Sequence, residues 1–210
     1  MTTLQERADR VARFVDTKAY KLQQAYQRNA SSAVADLARL RRGLGRRVGE
    51  DLDLIGLALA SDGENSPSLL DERERVGATP TAEEQSAFTA ITLFALHQQS
   101  QRGASMHRAG YSLGRSARLL GKRVDRDSVR TRFTALGTAT TWDETVHHAR
   151  GLIQQFRQHG IPLDYGRFAR DLFDLRTGRG DRVRMSWGRD FYRLADPDDT
   201  DTTHDAATAD

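Results

Sequence analysis

Helical periodicity runs through almost the whole 210-residue chain, and it constrains the fold more than any other feature. Apolar residues return every three or four positions, and no segment alternates apolar and polar residues with period two for long enough to make a strand. Leu4, Ala8, Val11, Val15, Ala19, Leu22 and Tyr26 form one stripe along residues 3–27. Asn29 to Ser32 offer N-caps for a second helix with Val34, Leu37 and Leu40 inward, ended by Gly43 and Gly45. A short apolar stretch follows from Leu52 to Leu59. Residues 61–79, rich in Gly, Asn, Ser, Pro and mixed charge, read as an exposed connection.

The next helix opens with Pro80 at its first position and a capping box between Thr81 and Glu84. Phe88, Ile91, Phe94, Ala95 and Gln98 on one face mark it as central. A glycine-punctuated basic region runs from Arg102 to Gly114, and Ser112 then caps a helix with Leu113, Ala117 and Leu120 inward. Asp127 or Ser128 starts another, with Val129, Phe133 and Leu136 inward and Gly137 at its end. Thr141 and Glu144 repeat the capping-box spacing ahead of Trp142, Val146, Ala149, Ile153 and Phe156, and Gly160 closes that helix. Asp164 opens a helix bearing Tyr165, Phe168, Leu172 and Leu175, and Val183, Trp187 and Phe191 fit a last one. The expected fold is an all-α bundle of about eight helices over residues 1–194. The composition shift and loop near residues 61–80 allow two helical lobes. Residues 195–210, dominated by Asp, Thr and Ala, are expected to be a disordered acidic tail.

A chain of this length buries a sizeable core. The absence of cysteine excludes a disulfide framework, a thiolate zinc site and a cysteine nucleophile. No apolar run approaches the ~18–20 residues that span a bilayer, and Met1 to Asp16 lack the apolar core of a signal peptide. The expectation is a soluble cytoplasmic protein without membrane contact.

The net charge of +3 conceals a strong asymmetry. Residues 1–96 carry 13 basic and 14 acidic side chains, whereas residues 97–195 carry 19 basic and 9 acidic ones. The last fifteen residues hold six Asp and no Lys or Arg. All the bases except Lys18, Lys21 and Lys122 are arginine, the side chain that grips phosphate in a bidentate fork. The basic half points to a polyanion.

No catalytic constellation converges. His147 and His148 point about 100° apart on a helix, a poor arrangement for a shared metal. His97, His107 and His159 are isolated, no H-x-x-x-H or H-E-x-x-H occurs, and His204-Asp205 stands alone in the tail. Asp164, Asp171 and Asp174 are the best carboxylate group for a metal-dependent nuclease, with Asp171 and Asp174 on one face. Arg167, Arg170 and Arg176 lie within helical reach and account for them better as surface ion pairs. Phosphate-binding and nucleophile-elbow motifs are absent, and Gly43-Leu44-Gly45 is no dinucleotide loop. No enzyme, cofactor or metal site is expected.

Two basic clusters carry more information. Arg39, Arg41, Arg42, Arg46 and Arg47 place five guanidiniums in nine residues around a helix end, more than the helix dipole calls for. Arg115, Arg118 and Lys122 line one face of a short helix, Arg123 and Arg126 continue into the following loop, and Arg130 and Arg132 begin the next helix. Helix starts at Ser112 and Asp127 add backbone N–H groups that favour phosphate. This surface fits non-specific backbone binding. The competing possibility is a helix-turn-helix regulator built from Ala117–Gly121 and Asp127–Arg132, although the turn between Gly121 and Val129 is about two residues longer than the common form. Trp142, Phe156, Phe168, Phe173, Trp187 and Phe191 fit inward stripes, and Tyr111 is the aromatic best placed for base stacking.

The order of several segments resembles a known family. Leu40-Arg41-Arg42-Gly43, Phe94-Ala95-Leu96-His97, Ser112-Leu113-Gly114-Arg115 and Val129 to Phe133 come in sequence. They are followed by Gly160-Ile161-Pro162-Leu163-Asp164-Tyr165, Asp171-Leu172 and Trp187-Gly188-Arg189-Asp190-Phe191-Tyr192. Together these segments are similar to the CasB family, the small subunit of the type I-E CRISPR effector complex Cascade, from about residue 10 to residue 194. The acidic tail and the long acidic stretch at 61–76 depart from its pattern.

The resemblance implies an all-helical, non-enzymatic subunit, present as two copies, that packs along the backbone and large subunits beside the guide RNA. It implies a role in holding target DNA, especially the displaced strand, while base pairing supplies sequence specificity. Arg41 and Arg42 match the first basic motif of the family and Arg115, Arg118, Arg130 and Arg132 the second, with Arg39, Lys122 and Arg123 as neighbours. Trp187, Phe191 and Tyr192 are expected to pack.

Overall fold

The computed structural model describes residues 2–61, 69 and 79–193. The expected acidic tail and nearly all of the expected 61–79 connection lie outside the described residues. Among the described residues the fold is all-α, with nine helices and no strand. They are α1 (Leu4–Gln27), α2 (Ser31–Arg42), α3 (Leu52–Leu59), α4 (Ala82–His97), α5 (Leu113–Arg123), α6 (Arg126–Thr138), α7 (Trp142–Gln158), α8 (Tyr165–Arg176) and α9 (Gly180–Tyr192). The apolar stretch Leu52–Leu59 accounts for the helix beyond the expected eight; it is capped by Asp51, whose side chain accepts from the Leu54 amide. None of these helices is long and apolar enough to cross a membrane.

Helix starts follow side-chain chemistry more than apolar pattern. Thr3, Thr81 and Thr141 each form a capping box with a Glu three residues on. Pro80 therefore precedes the cap and is not the first helical residue. Asp125 caps α6, which begins earlier than Asp127. Helix α2 starts at Ser31 without a side-chain cap. Gly43 is the C-cap of α2 and sits in a tight place: a Cβ there would stand 2.9 Å from the Leu54 side chain.

Helix α4 is the axis of the molecule. Twelve of its sixteen residues are buried, and α1, α2, α3, α7 and α8 pack around it. Helix α1 lies along α8, where Gly166 lets the two backbones approach; a Cβ on Gly166 would stand 3.0 Å from the Ala12 carbonyl oxygen. At the other end, α5 packs on α6, α7 and α9. One buried apolar cluster runs from Ala8 through α4 to Phe191.

Several charges are buried inside this frame, each with a partner. Glu83 on α4 is held by a forked ion pair from Arg7, with one arm at 2.8 Å, and by Arg10 at 3.5 Å. Burial pushes its pKa up, but these guanidiniums outweigh burial and hold it below the usual carboxylate range. Lys18 donates to the Ala60 carbonyl at 2.9 Å. The Gln23 amide clamps His107 by donating to its carbonyl and accepting from its backbone N–H, at 3.1 and 2.7 Å. That clamp fixes the basic loop between α4 and α5 onto α1.

Candidate nucleic-acid interface

The second basic cluster sits on a unit made of α5, α6 and α9. Leu113, Ala117 and Leu120 turn one face of α5 into the core, which leaves Arg115, Arg118 and Lys122 on the other. Ser112 accepts from the Arg115 amide at 3.2 Å and donates to the Asp190 carboxylate at 2.6 Å, so one hydroxyl caps α5 and ties it to α9. Arg167 reaches the same carboxylate at 2.8 Å. Phe133 of α6 stacks on Phe191 of α9 with ring centroids 4.7 Å apart. Arg184 of α9 donates to the carbonyl of Gly137 at 2.6 Å, satisfying the end of α6.

On this platform Lys122, Arg123, Arg126, Arg130 and Arg132 are exposed, and Arg115 and Arg118 are half-buried. Arg130 meets Asp127 at 3.3 Å in an exposed pair that screening makes weak. Arg123 is directed to the His159 carbonyl. Two guanidiniums lie over Tyr111, Arg115 at 4.4 Å and Arg108 at 5.0 Å from its ring centre, so the expected base-stacking aromatic is already engaged by cations. The helix starts are also partly occupied: Ser112 and Asp125 take one amide each, and Asp125 brings a carboxylate to the start of α6. The arginine side chains, more than helix N-termini, carry the positive field here.

The first cluster lies elsewhere. Arg39 and Arg42 are exposed on the last turn of α2, with Arg41 half-buried and Arg46 and Arg47 exposed in the turn beyond. Helix α2 packs on α1, α3 and α4, whereas α5 packs on α6, α7 and α9. The two clusters thus belong to different helix groups of one body. The turn between α5 and α6 is only Val124 and Asp125, shorter than the sequence spacing suggested and shorter than the three to four residues of a DNA-reading helix-turn-helix.

The carboxylates considered for a metal have other work. Asp171 and Asp174 are buried, not in surface pairs: Asp171 accepts the Trp187 indole N–H at 2.7 Å and Asp174 pairs with Arg179. Burial pushes the Asp171 carboxyl up to about 7, with the Trp187 hydrogen bond pulling the other way. Arg176 lies over the Trp142 ring at 4.6 Å. Asp164 joins His107 and Asp16, which sequence spacing kept apart. The Tyr165 backbone N–H donates to His107 Nδ1 at 3.2 Å, so a neutral ring carries its proton on Nε2 and donates it to Asp16 at 3.1 Å. Asp164 meanwhile caps α8 and accepts from Gly110 N at 3.0 Å. This trio is a structural clamp. His97, too, is fully buried; its Nδ1 lies 3.0 Å from the Tyr165 hydroxyl, and burial lowers its pKa to about 3. Tyr192, expected to pack, is 62% exposed and meets Phe191 edge-on with ring centroids 4.9 Å apart.

The sequence profile of the CRISPR-associated protein Cse2 family matches residues 36–192, most of the chain. The chain belongs to the Cse2 family. A solved member, described as the crystal structure of CasB from Thermobifida fusca, shares 37% identity and superposes with a TM-score of 0.69. The match covers 87% of this chain and 97% of that one. No curated protein matches. The family span takes in α3 to α9 and most of α2, hence both arginine clusters. Membership of the Cse2 family leaves the helix-turn-helix regulator without support.

Proposed function

We propose that the chain is a non-enzymatic small subunit of the RNA-guided Cascade complex, present there as two copies in contact with the backbone and large subunits. In this reading it holds the nucleic-acid backbone beside the guide RNA and steadies the target R-loop, chiefly through the displaced strand. The observation that carries the proposal is the arginine surface of α5 and α6, displayed on the unit these helices form with α9 in a member of the Cse2 family. Exchange of a DNA strand for guide RNA is nearly balanced in free energy, so a few phosphate contacts suffice to bias it. Arg115, Arg118, Lys122, Arg123, Arg130 and Arg132 supply those contacts, and Arg39, Arg41 and Arg42 supply a second set. No sequence readout is required of them.

The test is R-loop lifetime on a supercoiled target, in complexes assembled with the parent chain or with Arg115, Arg118, Arg130 and Arg132 changed to Ala. Assembly should be unaffected and the lifetime about tenfold shorter, as expected when several phosphates are no longer neutralised. An unchanged lifetime in a fully assembled complex would refute the proposal.

A further inference from the structure

A cavity of about 380 Å³ opens between α4, α7 and the turn that follows α2. That volume lies within the range of small-molecule and nucleotide sites. Its apolar lining comes from Phe88 on α4 and from Trp142 and Val146 on α7. Arg46, Arg47 and Arg150 line it as well; the lining holds one carboxylate, Asp143, and Arg46 also lies 3.8 Å from the Asp51 carboxylate. Arg46 and Arg47 come from the run of arginines around the end of α2, and Arg150 comes from α7. Gln85 adds an amide that can both donate and accept. Arg176, stacked on Trp142 at 4.6 Å, braces the indole from outside the cavity lining.

We infer that this cavity seats one unstacked nucleotide of a bound single strand. The base enters against Trp142, Phe88 and Val146, with the Gln85 amide at its polar edge, and the flanking phosphates meet Arg46, Arg47 and Arg150. The inference rests on the proposal that the chain binds nucleic acid, and adds to it a base-binding seat outside the α5–α6 surface. Charge complementarity selects the occupant: an apolar chamber with an aromatic wall and a guanidinium rim suits a group that is planar at one end and anionic at the other. Stacking of this kind is tolerant of sequence because every base offers a π-face.

Tryptophan emission reports on the seat directly. The chain has two tryptophans, and Trp187 is 1% exposed with its indole N–H bound to Asp171. Trp142 is the one that a base can reach. The full chain would be titrated with an oligothymidylate about twelve nucleotides long, within the usual site size for non-specific strand binders. An abasic strand of equal length and a peptide copying residues 196–210 provide the controls, with anisotropy measured on both strands. The base-bearing strand should quench emission and bind about tenfold more tightly than the abasic strand. Val146→Phe, which fills the cavity, should abolish quenching and remove the preference for the base-bearing strand over the abasic one. The comparison of strands on the parent chain stands even where that variant fails to fold. Equal affinity and equal emission for the two strands would overturn the base seat while leaving backbone binding intact. A response to the tail peptide and not to the strand would overturn it in favour of the chain's own acidic tail. Absence of binding to either strand would remove the nucleic-acid reading itself, and the seat with it.

Discussion

Gly114 and Trp187 are in backbone contact: a Cβ on Gly114 would stand 2.2 Å from the Trp187 carbonyl oxygen. This contact joins two of the segments that carry the family resemblance, Ser112–Arg115 and Trp187–Tyr192. It sets how closely α5 lies on α9, and so where the arginine face of α5 is aimed. The obstructing atom belongs to a helix backbone and cannot swing aside.

Gly114→Ala should accordingly destabilise the protein by about 1–3 kcal/mol, the usual cost of overpacking. Gly188→Ala, one residue beyond Trp187 on α9, meets nothing within 4 Å and should stabilise by about 0.5–1 kcal/mol through helix propensity. Urea unfolding of the two variants checks both signs. Equal effects at the two positions would mean that the α5–α9 approach is looser than described.

Ser112 does two jobs with one hydroxyl, and its removal should cost more than an ordinary cap. Ser112→Ala leaves the Arg115 amide uncapped and takes a donor from Asp190. A loss of about 1–2 kcal/mol in thermal or chemical denaturation is expected. Ser112→Asp keeps the cap but sets a second carboxylate against Asp190, so it should not rescue stability.

Two buried titrating groups make opposite contributions to stability against pH. His97 drops from 6.5 to about 3 on folding because it is buried, so between those values the unfolded chain binds more protons and stability rises with pH. Asp171 rises from 3.8 to about 7, so over that window the folded chain holds the extra proton and stability falls with pH. From about pH 4 to 6.5 the two offset each other. The melting temperature of Asp171→Asn relative to the parent should climb with pH across this window, and that of His97→Gln should decline. Difference profiles with the same slope for both variants would contradict the assignments.

The helices were legible in the sequence because they depend on local pattern: stripes such as Val129, Phe133 and Leu136 are buried as their spacing demands. The capping boxes at Thr81 and Thr141 were legible for the same reason, while the one at Thr3 was not read. Boundaries slipped where one capping side chain decides, as at Asp125. Partnerships across long sequence separations were not legible. Glu83 with Arg7, Lys18 with Ala60 and His97 with Tyr165 lie 76, 42 and 68 residues apart, and no periodicity encodes them. The cavity was hidden in the same way, because Arg46, Phe88 and Trp142 come from three segments that meet only in the folded chain. Trp142 read as core from spacing, and it packs against the core while also lining the cavity; Tyr192, which the resemblance implied would pack, is mostly exposed. The arginine clusters were visible as composition, and the structure added that they stand on separate helix groups.

The central claim is that the α5–α6 arginines hold a strand by its phosphates, and the salt dependence of single-strand affinity tests it most directly. With about four phosphates engaged, log K for the parent chain should fall against log salt with a slope near −3. Changing Arg115, Arg118, Arg130 and Arg132 to Ala should flatten that slope by about 0.7 for each phosphate no longer neutralised, with the helical fold retained. An identical slope in the variant, or no binding of the parent at low salt, would contradict the account.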